Sequence, residues 1–321
     1  MTEGWRGAHP VLCIVVPCYN EEPVLREVAG RLSIVLRDLV AAKTIAPSSF
    51  IYFVDDGSTD KTWAVIIELH QGGSMIKGLK LARNAGHQNA VLAGLLSVRE
   101  RADCVISMDA DLQHDEQAIH SFLEKYNQGA DVVYGVRNNR LTDSYLKKGS
   151  ALFFYKLMRL MGVKIIINHA DYRLISRKVL DALSEYREFN LFLRGIVADI
   201  GFKSAVVPFD VRKRFAGKSK YSLRKMASFA LDGITSFSVV PLRLVTVAGL
   251  LVFIFSCLMT AFILLSVIRG RVVPGWASTV IPIYFIGGIQ IIMMGLIGEY
   301  IGKIYQEVKA RPRFIKDIEL F

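Results

Sequence analysis

The sequence predicts an α/β fold on a mostly parallel sheet, followed by two membrane-spanning helices. Three features predict it. Apolar runs too continuous for half-exposed strands alternate with stretches of helical periodicity as far as Gly135. Asp109-Ala110-Asp111-Leu112-Gln113 follows one such run, Val105-Ile106-Ser107-Met108, so two carboxylates emerge at the C-terminal end of a strand. In α/β sheets that edge is where ligands bind. Finally, two late stretches carry no charge over bilayer length.

The elements follow in order. Val11–Pro17 reads as a strand buried on both faces, and Glu21–Val40 has helical spacing. Ile51–Val54 is a second strand with a helix over Lys61–His70, and Lys77–Leu81 a third with a helix over Gly86–Val98. Cys104–Met108 is a fourth, with a helix over Asp115–Asn127, and Asp131–Gly135 a fifth. Such alternation calls for parallel strands joined by right-handed helical crossovers. After Val136 the pattern loosens. Tyr145–Met161 mixes Leu, Phe, Tyr and Met with Lys147, Lys148, Lys156 and Arg159, which predicts an amphipathic helix lying on a membrane surface; Lys220–Phe237 has the same character.

The chain has 321 residues, 52% of them hydrophobic, and a mean hydropathy of +0.34. The apolar excess sits in Val245–Ile268 and Thr279–Ile297. The first, roughly 24 residues at about 1.5 Å each, covers about 36 Å, enough for a tilted crossing. The net charge is +11, and the basic residues cluster beside these stretches. Arg212, Lys213, Arg214, Lys218, Lys220, Arg224, Lys225 and Arg243 precede the first; Lys303, Lys309, Arg311, Arg313 and Lys316 follow the second. That placement points to anionic lipid head groups and away from nucleic acid. The positive-inside tendency puts both flanks and both termini in the cytoplasm and Arg269–Ser278 outside, with Arg269 and Arg271 outvoted by the flanks. The expected location is therefore the cytoplasmic membrane, with several passes. Cys13, Cys18, Cys104 and Cys257 have no metal-ligand spacing and read as small core residues in a reducing compartment.

Four loops leave four successive strand ends, each with polar groups suited to a nucleotide diphosphate and a metal. Asp109 and Asp111 are hard oxygen ligands for Mg²⁺ or Mn²⁺ against a diphosphate. Pro17-Cys18-Tyr19-Asn20-Glu21 offers Tyr19 to face a base and Glu21 to accept from base or ribose. Asp55-Asp56-Gly57-Ser58 bends sharply at Asp-Gly, and its carboxylates accept from ribose hydroxyls or a base N–H. Arg83-Asn84-x-Gly86 supplies a cation and a pliant backbone. Each loop alone reads equally well as a surface turn; four in series at strand ends do not. No G-x-x-x-x-G-K-[ST] occurs, and no G-x-G-x-x-G follows the first strand, so P-loop and dinucleotide sites are excluded.

In order, VVPCYNE, DDGSTD, RNAG and DADLQ resemble the motifs of family 2 inverting glycosyltransferases with the GT-A, Rossmann-like fold. Further elements are similar to polyprenyl-phosphate glycosyltransferases, most of all bactoprenol glucosyltransferases. These are Asp171-Tyr172-Arg173-Leu174, Asn190-Leu191-Phe192, Gly217-x-Ser219-Lys220-Tyr221, Gly233-Ile234-Thr235-Ser236-Phe237 and the run Gly298 to Tyr305. The Q-x-x-R-W pattern of processive synthases is absent, which argues for single transfer. The resemblance divides the chain into a catalytic domain (1–217), a juxtamembrane amphipathic helix (218–242), a two-helix transmembrane region (243–303) and a cytoplasmic tail (304–321).

The resemblance implies transfer of one hexose, glucose from UDP-glucose first, to undecaprenyl phosphate at the cytoplasmic face. GDP-mannose, a UDP-aminoarabinose derivative, UDP-N-acetylhexosamine and UDP-galactose are the alternative donors, because no short motif names a sugar. It assigns the metal to Asp109 and Asp111, with Gln113 completing the metal or phosphate shell. Arg137 is the first candidate for the acceptor phosphate, since a guanidinium grips phosphate at two points; Lys147, Arg214 and Lys220 are further candidates. Asp171 orients sugar or acceptor, acts as a base, or pairs structurally with Arg173. Gly298-x-x-x-Gly302 permits close helix packing in a homo-oligomer. Outside this class the competing reading is a component of a lipid-linked sugar flippase, which would have no need of acidic loops at strand ends.

Overall fold

The computed structural model describes residues 9–138, 169–188, 193–210, 240–269 and 275–321, which fall into two compact units. The first unit is an eight-stranded sheet with helices against it. Its strands are β1 (Leu12–Cys18), β2 (Phe50–Asp55), β3 (Ile76–Leu81), β4 (Cys104–Ser107), β5 (Val132–Arg137), β6 (His169–Ser176), β7 (Ser204–Phe209) and β8 (Lys316–Leu320), in the order β7-β5-β6-β4-β1-β2-β3-β8. Every residue of β1 and β2 is buried, as their unbroken apolar runs require. The five expected strands all form. The four central strands β4, β1, β2 and β3 are parallel, so their C-terminal ends share one rim.

The sheet is mixed but mostly parallel: β1 to β5 and β7 run one way, and only β6 and β8 run the other. β6 runs antiparallel between β4 and β5, and β8 runs antiparallel on β3. Because β6 enters from the opposite direction, its first residues lie at the rim where β4 ends; Ser107 pairs with Arg173. Charges within β6, the half-buried Asp171 and the buried Arg173, hide the strand from a hydrophobicity reading.

Helices α1 (Glu22–Ala41), α2 (Thr62–Gln71), α3 (His87–Ser97), α4 (Ala118–Asn127), α5 (Arg177–Ser184) and α6 (Leu193–Asp199) complete this unit. In α1, Val24, Leu25, Val28, Leu32, Val35, Leu36 and Leu39 make one buried stripe, and Pro23 suits its first turn. α3 comes closest to the sheet: a Cβ on Gly94 would stand 2.5 Å from Val15 Cγ1 and 2.8 Å from Val54 Cγ2.

β8 closes the β3 edge with contacts from a stretch that reads only as a tail in the sequence. Tyr52 Oη donates to Glu319 Oε1 (2.7 Å), Lys80 pairs with Asp317 (3.5 Å), and Ala82 N–H donates to the Ile315 carbonyl (2.9 Å). The Phe321 ring packs on Phe50 and Tyr52 under the Arg101 guanidinium.

The second unit contains two long apolar helices, α7 (Val240–Ile268) and α8 (Trp276–Val308). Large apolar side chains stand exposed along both, among them Leu251, Phe255 and Leu258 on α7 and Ile291, Ile292 and Met294 on α8. Among the described residues one stretch, Phe285–Val308, has the length and composition of a bilayer crossing. It begins and ends later than the expected Thr279–Ile297. The amphipathic helices expected over 145–161 and 220–237 lie outside the described residues.

Replacing Gly94 by Ala is expected to cost about 1–3 kcal/mol through overpacking against β1 and β2. Gly30→Ala on α1, where a Cβ meets nothing within 4 Å, is expected to be neutral or to stabilise by up to about 1 kcal/mol. Thermal unfolding of the two purified variants checks this; equal melting temperatures would contradict it.

Candidate active site

The site grows from the rim where β1 to β4 end. The loops after β1 and β2 are laced together: Asn20 N–H donates to Ser58 Oγ (2.9 Å), Thr59 N–H to Asn20 Oδ1 (2.9 Å), Glu21 N–H to Thr62 Oγ1 (2.9 Å) and Asp56 N–H to the Cys18 carbonyl (2.9 Å). Pro17 is buried inside β1, so Tyr19, exposed, and Glu21, half-buried, are the side chains this loop offers to a ligand.

Asp55 and Asp56 are both buried, with different partners. Asp55 Oδ1 accepts from Ser58 N–H (3.1 Å), while Oδ2 has no hydrogen-bond partner. Asp56 accepts from Ala85 N–H (2.7 Å) and Gly86 N–H (3.0 Å), tying the second loop to the third. Burial raises both carboxyl pKa values, and these hydrogen bonds oppose the rise. Gly57 is required between the two loops: its φ is +66°, and a Cβ there would lie 2.5 Å from Asn84 N. Asp56 therefore shapes the loop that carries Arg83, which is exposed.

After β4 the acidic loop folds back on itself. Leu112 takes a φ of +57°, and Asp111 Oδ1 accepts from Gln113 N–H (3.1 Å). Asp109 N–H donates to His114 Nδ1 (3.3 Å), so the second ring nitrogen of His114 carries the hydrogen and lies 3.8 Å from Asp109 Oδ2. His114 is 1% exposed, stacked on Tyr172 and edge-on to Phe209. Burial pushes its pKa down, against the opposing pull of Asp109, Asp111 and Asp171 and with the help of Arg137. With Nδ1 accepting from a backbone amide the imidazole is neutral, and the charges acting on it include four of the residues that the sequence singles out.

Asp171 sits at the start of β6. Arg194 grips it at two points, Nε on Oδ1 (3.0 Å) and Nη2 on Oδ2 (2.9 Å), and Arg173 Nη2 adds a third contact at 3.0 Å. Burial raises its pKa, but Arg194, then Arg173 and His87, outweigh that and hold it far below the usual carboxylate range. His87, the first residue of α3, places Nε2 3.4 Å from Asp109 Oδ1 and 3.9 Å from Asp171 Oδ2. Arg137 is exposed at the end of β5. Lys147, Arg214 and Lys220 lie outside the described residues.

His87 lies between Asp109 and Asp171, and Asp109 lies against the buried ring of His114. Sequence reasoning missed that ring, together with His87 and Arg194. His114 directly follows the acidic motif and was within reach of a longer reading. Arg194 arrives from a distant helix and gives no local signal. Among the described residues no three His, Cys, Asp or Glu side chains are gathered closely enough to hold an ion alone. Asp109 Oδ1 is nevertheless buried with no hydrogen-bond partner, a hard oxygen that fits a divalent ion arriving with a phosphate ligand.

A mixed sheet with acidic loops at its parallel strand ends is the frame of a nucleotide-sugar enzyme. Residues 13–184 match the glycosyl transferase family 2 model, and the chain belongs to that family. It is 51% identical over 316 residues to the uncharacterized glycosyltransferase YkoT of Bacillus subtilis, covering 98% of this chain and 94% of that one. It is 38% identical over 307 residues to a bactoprenol glucosyl transferase of Shigella phage SfX, covering 95% and 98%. A prophage bactoprenol glucosyl transferase homolog of Escherichia coli is 37% identical over 306 residues, covering 95% and 97%. Among solved structures, a mannosyltransferase from Pyrobaculum calidifontis in complex with GDP-Man and Mn²⁺ aligns with a TM-score of 0.49 at 16% identity, over 71% of this chain and 64% of that one. The chain is a glycosyltransferase, and family membership sets the flippase reading aside.

Asp171 supplies a test. A carboxylate whose pKa is depressed on folding contributes stability that is present above its unfolded pKa, about 4, and is lost as pH falls through the folded value. Asp171→Asn is expected to lower the melting temperature by a constant amount from pH 5 to 8, with the gap to wild type closing progressively below about pH 4. A gap that instead closes on going from pH 5 to 8 would show that Asp171 is not the paired anion described.

Proposed function

We propose that the enzyme transfers one glucose, with inversion, from UDP-glucose to undecaprenyl phosphate at the cytoplasmic face of the membrane. The observation that carries this reading is near-full-length identity to relatives named bactoprenol glucosyl transferase, through the apolar helices as well as the catalytic sheet. The site geometry agrees with such a reaction. A lipid phosphate near pH 7 is largely dianionic, like a phosphorylated side chain, and needs little deprotonation before it attacks the anomeric carbon. Asp171, gripped by two guanidiniums, is a poor base and serves as an anchor for Arg194 and Arg173.

On the donor side, Tyr19 stacks on or borders the base, Glu21 accepts from base or ribose, and Asp55 Oδ2 is an unsatisfied acceptor for a base N–H or ribose hydroxyl. Arg83 faces the diphosphate. Asp109 and Asp111, with Gln113 alongside, hold Mg²⁺ or Mn²⁺, which when bound supplies Lewis-acid stabilisation of the departing diphosphate. Arg137 takes the acceptor phosphate, with Lys147, Arg214 and Lys220 as further candidates for that role.

The topology has its own support. β8, which follows the apolar helices, belongs to the same sheet as β1 to β7, and this supports a reading in which the chain crosses the bilayer an even number of times between them. With Phe285–Val308 as one crossing, α7 is the second in this reading, and the basic flanks favour cytoplasmic termini. Gly298 and Gly302 have open space where a Cβ would stand, leaving that face of α8 available to a second subunit.

Purified full-length enzyme with undecaprenyl phosphate, Mg²⁺ or Mn²⁺ and a panel of labelled nucleotide sugars is expected to yield glucosyl lipid from UDP-glucose. A product from GDP-mannose or another UDP-sugar alone would keep the class and change the sugar; no lipid product from any donor would sink the reading. Asp109→Asn is expected to lower kcat by about 100-fold or more with protein folding intact, on the scale of losing one charge-stabilising group, and EDTA should abolish turnover reversibly. Topology is tested separately in intact cells. A cysteine at Arg271 is expected to react with an impermeant maleimide and one at Phe321 only after permeabilisation; the opposite pattern would invert the orientation.

A further inference from the structure

We propose that His87, through its second ring nitrogen, is a further ligand of the divalent ion held by Asp109 and Asp111. The inference rests on the metal reading above. It begins from an unsatisfied atom: Asp109 Oδ1 is buried at the rim with no hydrogen-bond partner, and His87 Nε2 stands 3.4 Å from it. Two ligands at right angles on an octahedral ion, with bonds of about 2.1 Å, lie about 3 Å apart. The pair needs only a small closing movement to share one ion.

The neighbouring groups are committed elsewhere. Both oxygens of Asp171 are held by Arg194, and both of Asp56 by the Ala85 and Gly86 amides. The other histidine of the site cannot take this role. His114 Nδ1 accepts from the Asp109 amide, so its second nitrogen bears hydrogen and acts as a donor, and its ring is locked against Tyr172.

The backbone places the His87 ring. Gly86, at φ +91°, turns the chain into α3, and the grip of Asp56 on Ala85 and Gly86 sets where that helix starts. The RNAG loop therefore does two jobs: it presents Arg83, and it delivers a nitrogen ligand to the end of β4. Since the described residues contain no group of three ready to hold an ion alone, diphosphate oxygens complete the shell, and tight metal binding waits for the nucleotide. An imidazole in that shell shifts preference from Mg²⁺ towards transition-metal dications.

The experiment is pulsed electron paramagnetic resonance on full-length, ¹⁵N-histidine-labelled enzyme with Mn²⁺ and UDP. The expected spectrum contains ³¹P couplings from UDP and a ¹⁵N coupling from histidine. His87→Gln, at a side chain 41% exposed and so tolerated by the fold, is expected to abolish the ¹⁵N coupling while keeping the ³¹P coupling. The same variant should weaken Mn²⁺ binding at least about tenfold and reduce the Mn²⁺-over-Mg²⁺ preference. A ³¹P coupling without histidine nitrogen, or a ¹⁵N coupling that survives His87→Gln, would overturn this assignment and leave the Asp109 site standing. No bound Mn²⁺ with UDP present would overturn both.

Discussion

A carboxylate removed from water costs several kcal/mol unless its oxygens find partners, and that constraint shapes the rim of this sheet. Five carboxylates meet there, and each is provided for differently. Asp56 is neutralised by two backbone amides, Asp171 by two guanidiniums, and Asp111 by the turn it closes. Asp55 and Asp109 each keep one buried oxygen without a hydrogen bond. The partnered acids hold the loops in place, and the two incompletely partnered ones are where a ligand has most to offer. Structural and ligand-facing roles are thus divided by solvation, within residue types that look alike in the sequence.

The same division explains what could be read beforehand. The central strands announced themselves because burial on both faces demands unbroken apolar runs, and the loops after them because several polar strand ends in series are hard to arrive at by chance. β6 stayed hidden, since a strand whose interior positions are Asp171 and Arg173 breaks the hydrophobic pattern; those charges are tolerable only through Arg194, a partner no local window contains. β8 stayed hidden for another reason. Lys316, Asp317 and Glu319 are polar because an edge strand faces solvent, and its pairing with β3 depends on contacts from the far end of the chain, such as Tyr52 with Glu319. Asp56 was legible as a site residue, but that both its oxygens are taken by the third loop was not.

His114 shows how packing sets chemistry at this rim. Stacking on Tyr172 and contact with Phe209 exclude water from the ring, and exclusion of water keeps it uncharged among three carboxylates. A charged imidazole there would bind Asp109 tightly and compete with any cation. A neutral one braces the Asp109 backbone amide and leaves the carboxylate its charge.

The closing of the β3 edge by residues 316–320 has a consequence for how the protein is made. Those residues are synthesised after both apolar helices, so the sheet is finished only once those helices have been made. Until then β3 presents a bare edge, the kind of surface that invites pairing with other chains. Biogenesis of the enzyme therefore carries its own checkpoint: a chain that stalls or is cut short before β8 is left recognisably incomplete.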